Sequence, residues 1–147
     1  MRNAIIIYGS TTGNTEFTAE TIEETLSGAS YAVKTLNVSD TDVDILGETY
    51  DLYVLGCSTW GHDEIELQED FEPFFEDMNG NLSLDGKKFA VFGCGDSSYE
   101  YFCGAVDVIE ERIQKLGGSV VCNSLRIDGE PEETEISEWA QDVVNAA

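Results

Sequence analysis

The residues that could do chemistry gather in three short segments. The first follows the apolar run Ala4-Ile5-Ile6-Ile7-Tyr8 and reads Gly9-Ser10-Thr11-Thr12-Gly13-Asn14-Thr15, with a helical pattern directly after it. A buried strand, a tight turn and a helix N-terminus together make an anion site. The first N–H groups of a helix have no intrahelical partner and lie at the positive end of its dipole. Ser10, Thr11, Thr12 and Thr15 add hydroxyl donors. The turn holds no lysine or arginine. That argues against a nucleotide triphosphatase and for one terminal phosphate held by neutral donors. The alternative is an ordinary strand-to-helix turn capped by Ser or Thr.

The second segment is Cys57-Ser58-Thr59-Trp60-Gly61-His62-Asp63. Trp60, in a polar loop, either packs onto the domain or offers a stacking face to a flat ligand. Gly61 permits positive φ. His62 is either a solvent-facing loop residue or a proton carrier. The third segment is Cys94-Gly95-Asp96-Ser97-Ser98-Tyr99-Glu100-Tyr101-Phe102-Cys103-Gly104. Tyr99, Tyr101 and Phe102 bring aromatic faces, and the glycines flank backbone donors. Gly93-x-Gly95 resembles the opening of a dinucleotide fingerprint. Ser98 stands where the third glycine belongs, and the motif lies outside the first strand–turn–helix unit, so it is not counted. The three segments describe one ligand with a phosphate tail, a polar middle and a large flat ring. Flavin mononucleotide (FMN) meets these conditions.

The elements that must position these segments are legible. Ala4–Tyr8, Leu52–Cys57 and Phe89–Gly93 are short, nearly continuous apolar runs, which predict strands buried on both faces. Tyr31–Val38 alternates more, and Ser119–Cys122 with Leu125–Ile127 is broken, so these are expected at the edges. Helical stripes fill the gaps: Ala19, Ile22, Leu26 and Ala29; Phe71, Phe74, Phe75 and Met78; Ala105, Ile109, Ile113 and Leu116; Ile136, Trp139, Ala140 and Val143. Pro73 is tolerable only in the first turn of its helix. Strand and helix therefore alternate, which predicts an α/β doubly wound parallel sheet with helices on both faces. In such a sheet, ligands bind beyond the carboxyl ends of the strands, where the three segments would converge.

Composition narrows the function. The 147 residues suit one domain spanning 1–147, and no repeat or dividing linker is present. Seven basic residues face thirty acidic ones, for a formal net charge of −23. Nucleic acid and anionic membranes are poor partners for such a chain. The field either keeps the chain soluble or steers it toward cationic proteins. No apolar stretch is long enough to span a membrane, and no signal-peptide pattern opens the chain. Cys57, Cys94, Cys103 and Cys122 form no C-x-x-C pair, and His62 is not spaced to share a metal with them. A reducing, cytoplasmic setting without a structural metal is expected.

The chain resembles the short-chain flavodoxins, in particular those of sulfate-reducing bacteria. The likeness runs the whole length and rests on Tyr8-Gly9-Ser10-Thr11-Thr12-Gly13-Asn14-Thr15, Gly56-Cys57-Ser58-Thr59-Trp60-Gly61 and Gly93-Cys94-Gly95 through Cys103-Gly104. It implies a five-stranded parallel sheet of order 2-1-3-4-5 with FMN at the switch point, the family being itself a standard example of that order. It also implies residue roles. Ser10, Thr11, Thr12, Gly13, Asn14 and Thr15 would hold the phosphate, with Ser58 and Thr59 near the phosphate and ribityl chain. Trp60 and Tyr99 would cover the two ring faces. Cys94, Gly95, Asp96, Tyr101, Phe102 and Cys103 would meet the pyrimidine edge and ribityl region. The Gly61–His62 peptide would flip on reduction, so that the Gly61 carbonyl accepts a bond from flavin N5–H. Close relatives often carry an acidic residue where this chain has His62.

The implied job is low-potential one-electron carriage between semiquinone and hydroquinone, with no catalytic residue. The partners would be redox proteins with basic docking surfaces, such as cytochromes and oxidoreductases, met by a monomer. Asp63, Glu64, Glu66, Asp96 and Glu100 lie in or beside the flavin segments, with no basic residue among them. One carboxylate at roughly 10 Å, at an effective dielectric near 40, disfavours added negative charge by about 0.8 kcal/mol. A quinone or nitro-compound reductase is the main rival, and it would need a nicotinamide or substrate pocket. A receiver domain would need an acceptor Asp where Tyr8-Gly9-Ser10 stand. A small tyrosine phosphatase would need Cys and Arg in the first segment, which has neither.

Overall fold

The computed structural model describes residues 2–9, 13–60, 66–80, 82–95 and 103–147, with Trp60 and Glu66 as backbone only. Strands are β1 (Arg2–Gly9), β2 (Tyr31–Asn37), β3 (Leu52–Trp60), β4 (Glu66–Leu67), β5 (Lys88–Gly95), β6 (Ser119–Val120) and β7 (Leu125–Asp128). Helices are α1 (Asn14–Gly28), α2 (Phe71–Asp77), α3 (Gly104–Lys115) and α4 (Glu133–Ala146). The sheet order is β2-β1-β3-β5-β6, with β4 paired to β3 and β7 paired to β5. Every pairing is parallel except β3 with β4. Counted along the sheet, this is the expected 2-1-3-4-5, with the last position shared by β6 and β7.

The strand pleat sends alternate residues into two cores. Ala4, Ile6, Leu52, Val54, Ala90 and Phe92 pack with Ala19, Ile22, Leu26, Ile136 and Trp139 of α1 and α4. Ile5, Ile7, Tyr53, Leu55, Phe89 and Val91 pack with Phe71, Phe74, Ile109 and Ile113 of α2 and α3. All four predicted helical stripes therefore face the sheet, two on each side. Pro73 is the third residue of α2, inside its first turn.

Three features differ from the expectations. The second segment does not leave the sheet at Cys57. Ser58, Thr59 and Trp60 prolong β3, because Ser58 pairs with Cys94 while Thr59 and Trp60 find a partner in β4. Likewise Cys94 and Gly95 belong to β5, paired with Ile127 and Asp128. The broken edge segment resolves into two pieces: β6 pairs with Lys88 and Phe89, β7 with Phe92–Gly95. The chain leaves the edge between them. The lower piece extends the sheet, and the upper one lies against the start of the third segment.

Candidate functional site

The first segment leads into a glycine-capped helix start. Gly13 is the N-cap of α1, at φ 95°. A side chain rarely adopts that backbone, and glycine does so without strain. Among the described residues, nothing lies within 4 Å of where a Cβ would stand. The N-cap position itself is held by this glycine and not by a Ser or Thr. Asn14 opens α1, and its carbonyl accepts a 2.8 Å bond from the Thr18 hydroxyl. Thr15 is 1% exposed, and one turn on the Thr18 hydroxyl stands 3.8 Å from the Cys94 sulfur. The first turns of α1 are thereby tied to the third segment beneath the sheet's carboxyl edge.

That edge is acidic and crowded. Burial pushes the Tyr8 hydroxyl above its usual range, and Glu16, Glu20 and Asp40 push it further the same way. At Gly9 a Cβ would run into Gln68 Oε1 and stand 3.1 Å from Phe71 Cβ. A side chain at Gly9 would therefore have to displace one of them. Gln68 itself is 2% exposed. Its Oε1 accepts from the N–H groups of Asp70 (3.0 Å) and Phe71 (3.2 Å), and so caps the start of α2. Its own N–H donates to the Ser58 carbonyl at 3.1 Å. One residue thus braces the ends of β1, β3 and α2.

In the second segment Ser58 and Thr59 are buried. The expectation placed both beside the phosphate and ribityl chain. The structure gives Thr59 a further role, in which its Oγ1 accepts from the Ala105 N–H at 2.9 Å. That bond caps α3 from a neighbouring strand, since the N-cap residue Cys103 supplies no side-chain cap.

Cys103 closes the third segment at φ 50°. A non-glycine residue there costs about 1–2 kcal/mol, so something must hold it. The side chain is fully buried, with Sγ 3.8 Å from the Gly93 carbonyl and 3.7 Å from that of Ile127. Its own carbonyl accepts from Arg126 Nη1 at 3.3 Å. Arg126 Nη2 meets Asp107 at 2.6 Å and Glu110 at 3.3 Å. At the other end of the segment, the Gly129 N–H donates to the Gly95 carbonyl at 3.0 Å.

Three buried thiols underlie the same edge, and burial keeps all of them protonated. Cys57 is pushed up to about 12 by desolvation, against a small opposing effect of the Gln68 N–H. Cys103 is also pushed up to about 12 by desolvation, aided by Cys94 and opposed by Arg126. Cys94 is raised for the same reason, with Thr15 and Thr18 pulling the other way. These sulfurs add no negative charge beneath the site.

Of the predicted site residues, Gly13, Asn14, Thr15, Ser58, Thr59, Cys94, Gly95 and Cys103 are brought to the carboxyl ends of β1, β3 and β5. The Trp60 backbone ends β3. Ser10, Thr11, Thr12, Gly61, His62, Asp96, Tyr99, Tyr101 and Phe102 lie outside the described residues. Gln68 and Arg126 were not singled out from the sequence. Gln68 carries no local signal, because its bonds are tertiary. Arg126 has one: a lone cation in the stretch Leu125-Arg126-Ile127-Asp128, on the face opposite the two buried apolar residues. The sequence placed no basic residue among the flavin segments, and folding brings this one to the end of the third. The donor set at the first segment is a glycine-capped helix start with Asn14 and Thr15, all neutral. That chemistry fits a terminal phosphate.

A family model described as flavodoxin matches residues 6–140. The flavodoxin of Maridesulfovibrio salexigens is 50% identical over 145 residues, covering 99% of each chain. That of Nitratidesulfovibrio vulgaris is 48% identical over 148 residues, again covering 99% of each. Among solved structures, oxidised flavodoxin 2 from Bacillus cereus superposes with a TM-score of 0.89 at 35% identity, covering 97% of this chain and 98% of that one.

Proposed function

The chain belongs to the flavodoxin family, and on that premise we propose how its residues divide the work of carrying electrons. It is an FMN-binding electron carrier and not an enzyme. Bound FMN supplies the one-electron chemistry, while the protein binds it, orients it and sets its potentials.

Ser10, Thr11, Thr12, Gly13, Asn14 and Thr15 anchor the phosphate at the N-terminus of α1. The observation that carries this assignment is the α1 start: a glycine N-cap at φ 95° above a buried Thr15. Ser58 lies near the ribityl chain, and Thr59 holds α3 in place beside it. Trp60 and Tyr99 cover the ring and exclude water. Cys94, Gly95, Asp96, Tyr101, Phe102 and Cys103 meet the pyrimidine edge and ribityl region. Gly61 offers a backbone carbonyl that reorients with the redox state, and His62 follows it. One domain spans 1–147. The visible spectrum of the purified protein is the test. Flavin absorption bands support the reading, and a colourless protein that ignores added FMN contradicts it.

The potential is low because reduction adds negative charge to a molecule of net charge −23. The partners are redox proteins, and we assign them basic docking surfaces of the cytochrome or oxidoreductase type. Phe17 supports this: it is 42% exposed at the start of α1, beside Glu16 and Glu20, an apolar contact in an acidic rim. Electron transfer that slows steeply with salt is the expected result, and salt-independent rates would contradict it. The carrier acts as a monomer in the cytoplasm, a setting that suits its four free cysteines. Among the described residues, no helix is long and apolar enough to cross a membrane.

A further inference from the structure

The break in the edge strand leaves β7 as a four-residue piece with an unusual set of contacts. Leu125 and Ile127 point into the α1–α4 core, so Arg126 points to the opposite face, where α3 lies. In register, Arg126 stands opposite Gly93, Ile127 opposite Cys94 and Asp128 opposite Gly95. These partners are the last residues of β5 before the third segment departs. The segment returns at Cys103, whose carbonyl is held by Arg126 at 3.3 Å and whose thiol lies 3.7 Å from the Ile127 carbonyl. The chain just past β7 also holds the departure point, through the Gly129 N–H on the Gly95 carbonyl. Gly95 and Cys103 are therefore both held by one short strand and the residue after it.

The Arg126 side chain suits such a clamp for a geometric reason. A guanidinium is a rigid planar fork with donors on separate nitrogens. Here Nη1 takes the Cys103 carbonyl while Nη2 takes the carboxylates of Asp107 and Glu110 on α3. Ion pairs this exposed contribute little to stability: the Arg126 side chain is 35% accessible and that of Asp107 61%. The carbonyl bond fastens a non-glycine residue at φ 50°, a conformation that other contacts must impose. The arrangement makes better sense as positioning than as ballast.

We propose that Arg126 is a positioning residue for FMN: through the Cys103 carbonyl it fixes the return of the third segment, and so sets how tightly the flavin is held and how far apart its two potentials lie. The inference rests on the assignment of that segment to the flavin.

The test titrates apoprotein with FMN by fluorescence quenching and measures both midpoint potentials. It compares the parent with Arg126→Gln and Arg126→Lys. Arg126→Gln is expected to weaken FMN binding about tenfold, the effect of losing one charge-assisted bond, and to change the separation between the potentials. Arg126→Lys is expected to behave like Arg126→Gln, because one ammonium cannot hold the carbonyl and both carboxylates as the fork does. Parent-like affinity and separation in Arg126→Gln, with only a lower melting temperature of the apoprotein, would overturn the proposal. Full rescue by Lys would also overturn it, since charge alone would then suffice. If Arg126→Gln fails to fold, the double variant Asp107→Asn/Glu110→Gln loosens the same fork from its other side. A several-fold loss of FMN affinity supports the clamp there, and parent affinity contradicts it. A parent that does not bind FMN would sink the flavin reading itself. A parent that binds while the variants match it sinks only the clamp.

Discussion

Two helices in this molecule begin in the same way and are used differently. Both α1 and α3 follow a strand at the carboxyl edge of the sheet. Each has a left-handed N-cap, Gly13 at φ 95° and Cys103 at φ 50°, and neither N-cap residue caps its own helix with a side chain. At α3 the protein meets the need internally. Thr59 accepts from the Ala105 N–H, and Arg126 holds the Cys103 carbonyl. At α1 the cap position is a glycine, and among the described residues nothing lies within 4 Å of a would-be Cβ. The same physics, donors at a dipole's positive end, is answered from a neighbouring strand at α3, and at α1 we assign it to the phosphate. The contrast supports the proposed place of the phosphate, at the glycine-capped start of α1.

Substitutions can break that contrast from either side. The largest effect is expected at Gly9→Ala, which forces a methyl group against Gln68 Oε1 and Phe71 Cβ. Gln68 cannot withdraw without releasing the N–H groups of Asp70 and Phe71. Overpacking of this kind costs about 2–3 kcal/mol, readable as a lower urea midpoint of the apoprotein. An unchanged midpoint would show that Gln68 does not brace the turn. Next comes Thr59→Val, which keeps the shape and removes the acceptor from Ala105. A lost cap with a buried unpaired N–H costs about 1–2 kcal/mol. The apoprotein should lose stability while the ratio of FMN to riboflavin affinity stays at the parent value, because α3 does not hold the phosphate.

Gly13→Ala should show the mirror pattern. Forcing a Cβ at φ 95° costs about 1 kcal/mol after the gain in chain stiffness is counted. The fall in FMN affinity should exceed the fall in apoprotein stability. Equal losses would make Gly13 an ordinary turn residue. The smallest effect is a slope in pH. The folded-state value for Cys57 is about 12, raised from 9.0. The folded protein thus keeps a proton that the unfolded chain gives up between those two values. Stability is therefore fully present below pH 9 and declines above it, by about 1 kcal/mol per pH unit for this thiol. Urea melts at pH 8, 9 and 10 should show that decline in the parent and a shallower one in Cys57→Ala. Parallel declines would mean that Cys57 is not the group responsible.

The contrast also marks what the sequence could disclose. The strands were legible because Ala4–Tyr8, Leu52–Cys57 and Phe89–Gly93 are apolar on both faces, and helical periodicity supplied the rest. The start of α1 was legible because its signal is local: strand, glycine and helix start follow one another in the chain. The closing of α3 was not, because its parts come from Thr59, Cys103 and Arg126, far apart in sequence. The extension of β3 through Trp60 was hidden for the same reason. Those residues look like loop until β4 returns to pair with them. Local chemistry can be read along a chain, whereas a cap supplied by another element needs the fold.

The central claim is that α1 holds the flavin by its phosphate through neutral donors. The most direct measurement compares the affinity of the apoprotein for FMN with that for riboflavin, which lacks the phosphate. Two or three bonds from N–H and hydroxyl donors to a charged group should make FMN bind about a thousandfold more tightly, roughly 4 kcal/mol. Equal affinities for the two ligands would contradict the account, because the phosphate would then gain nothing from the start of α1.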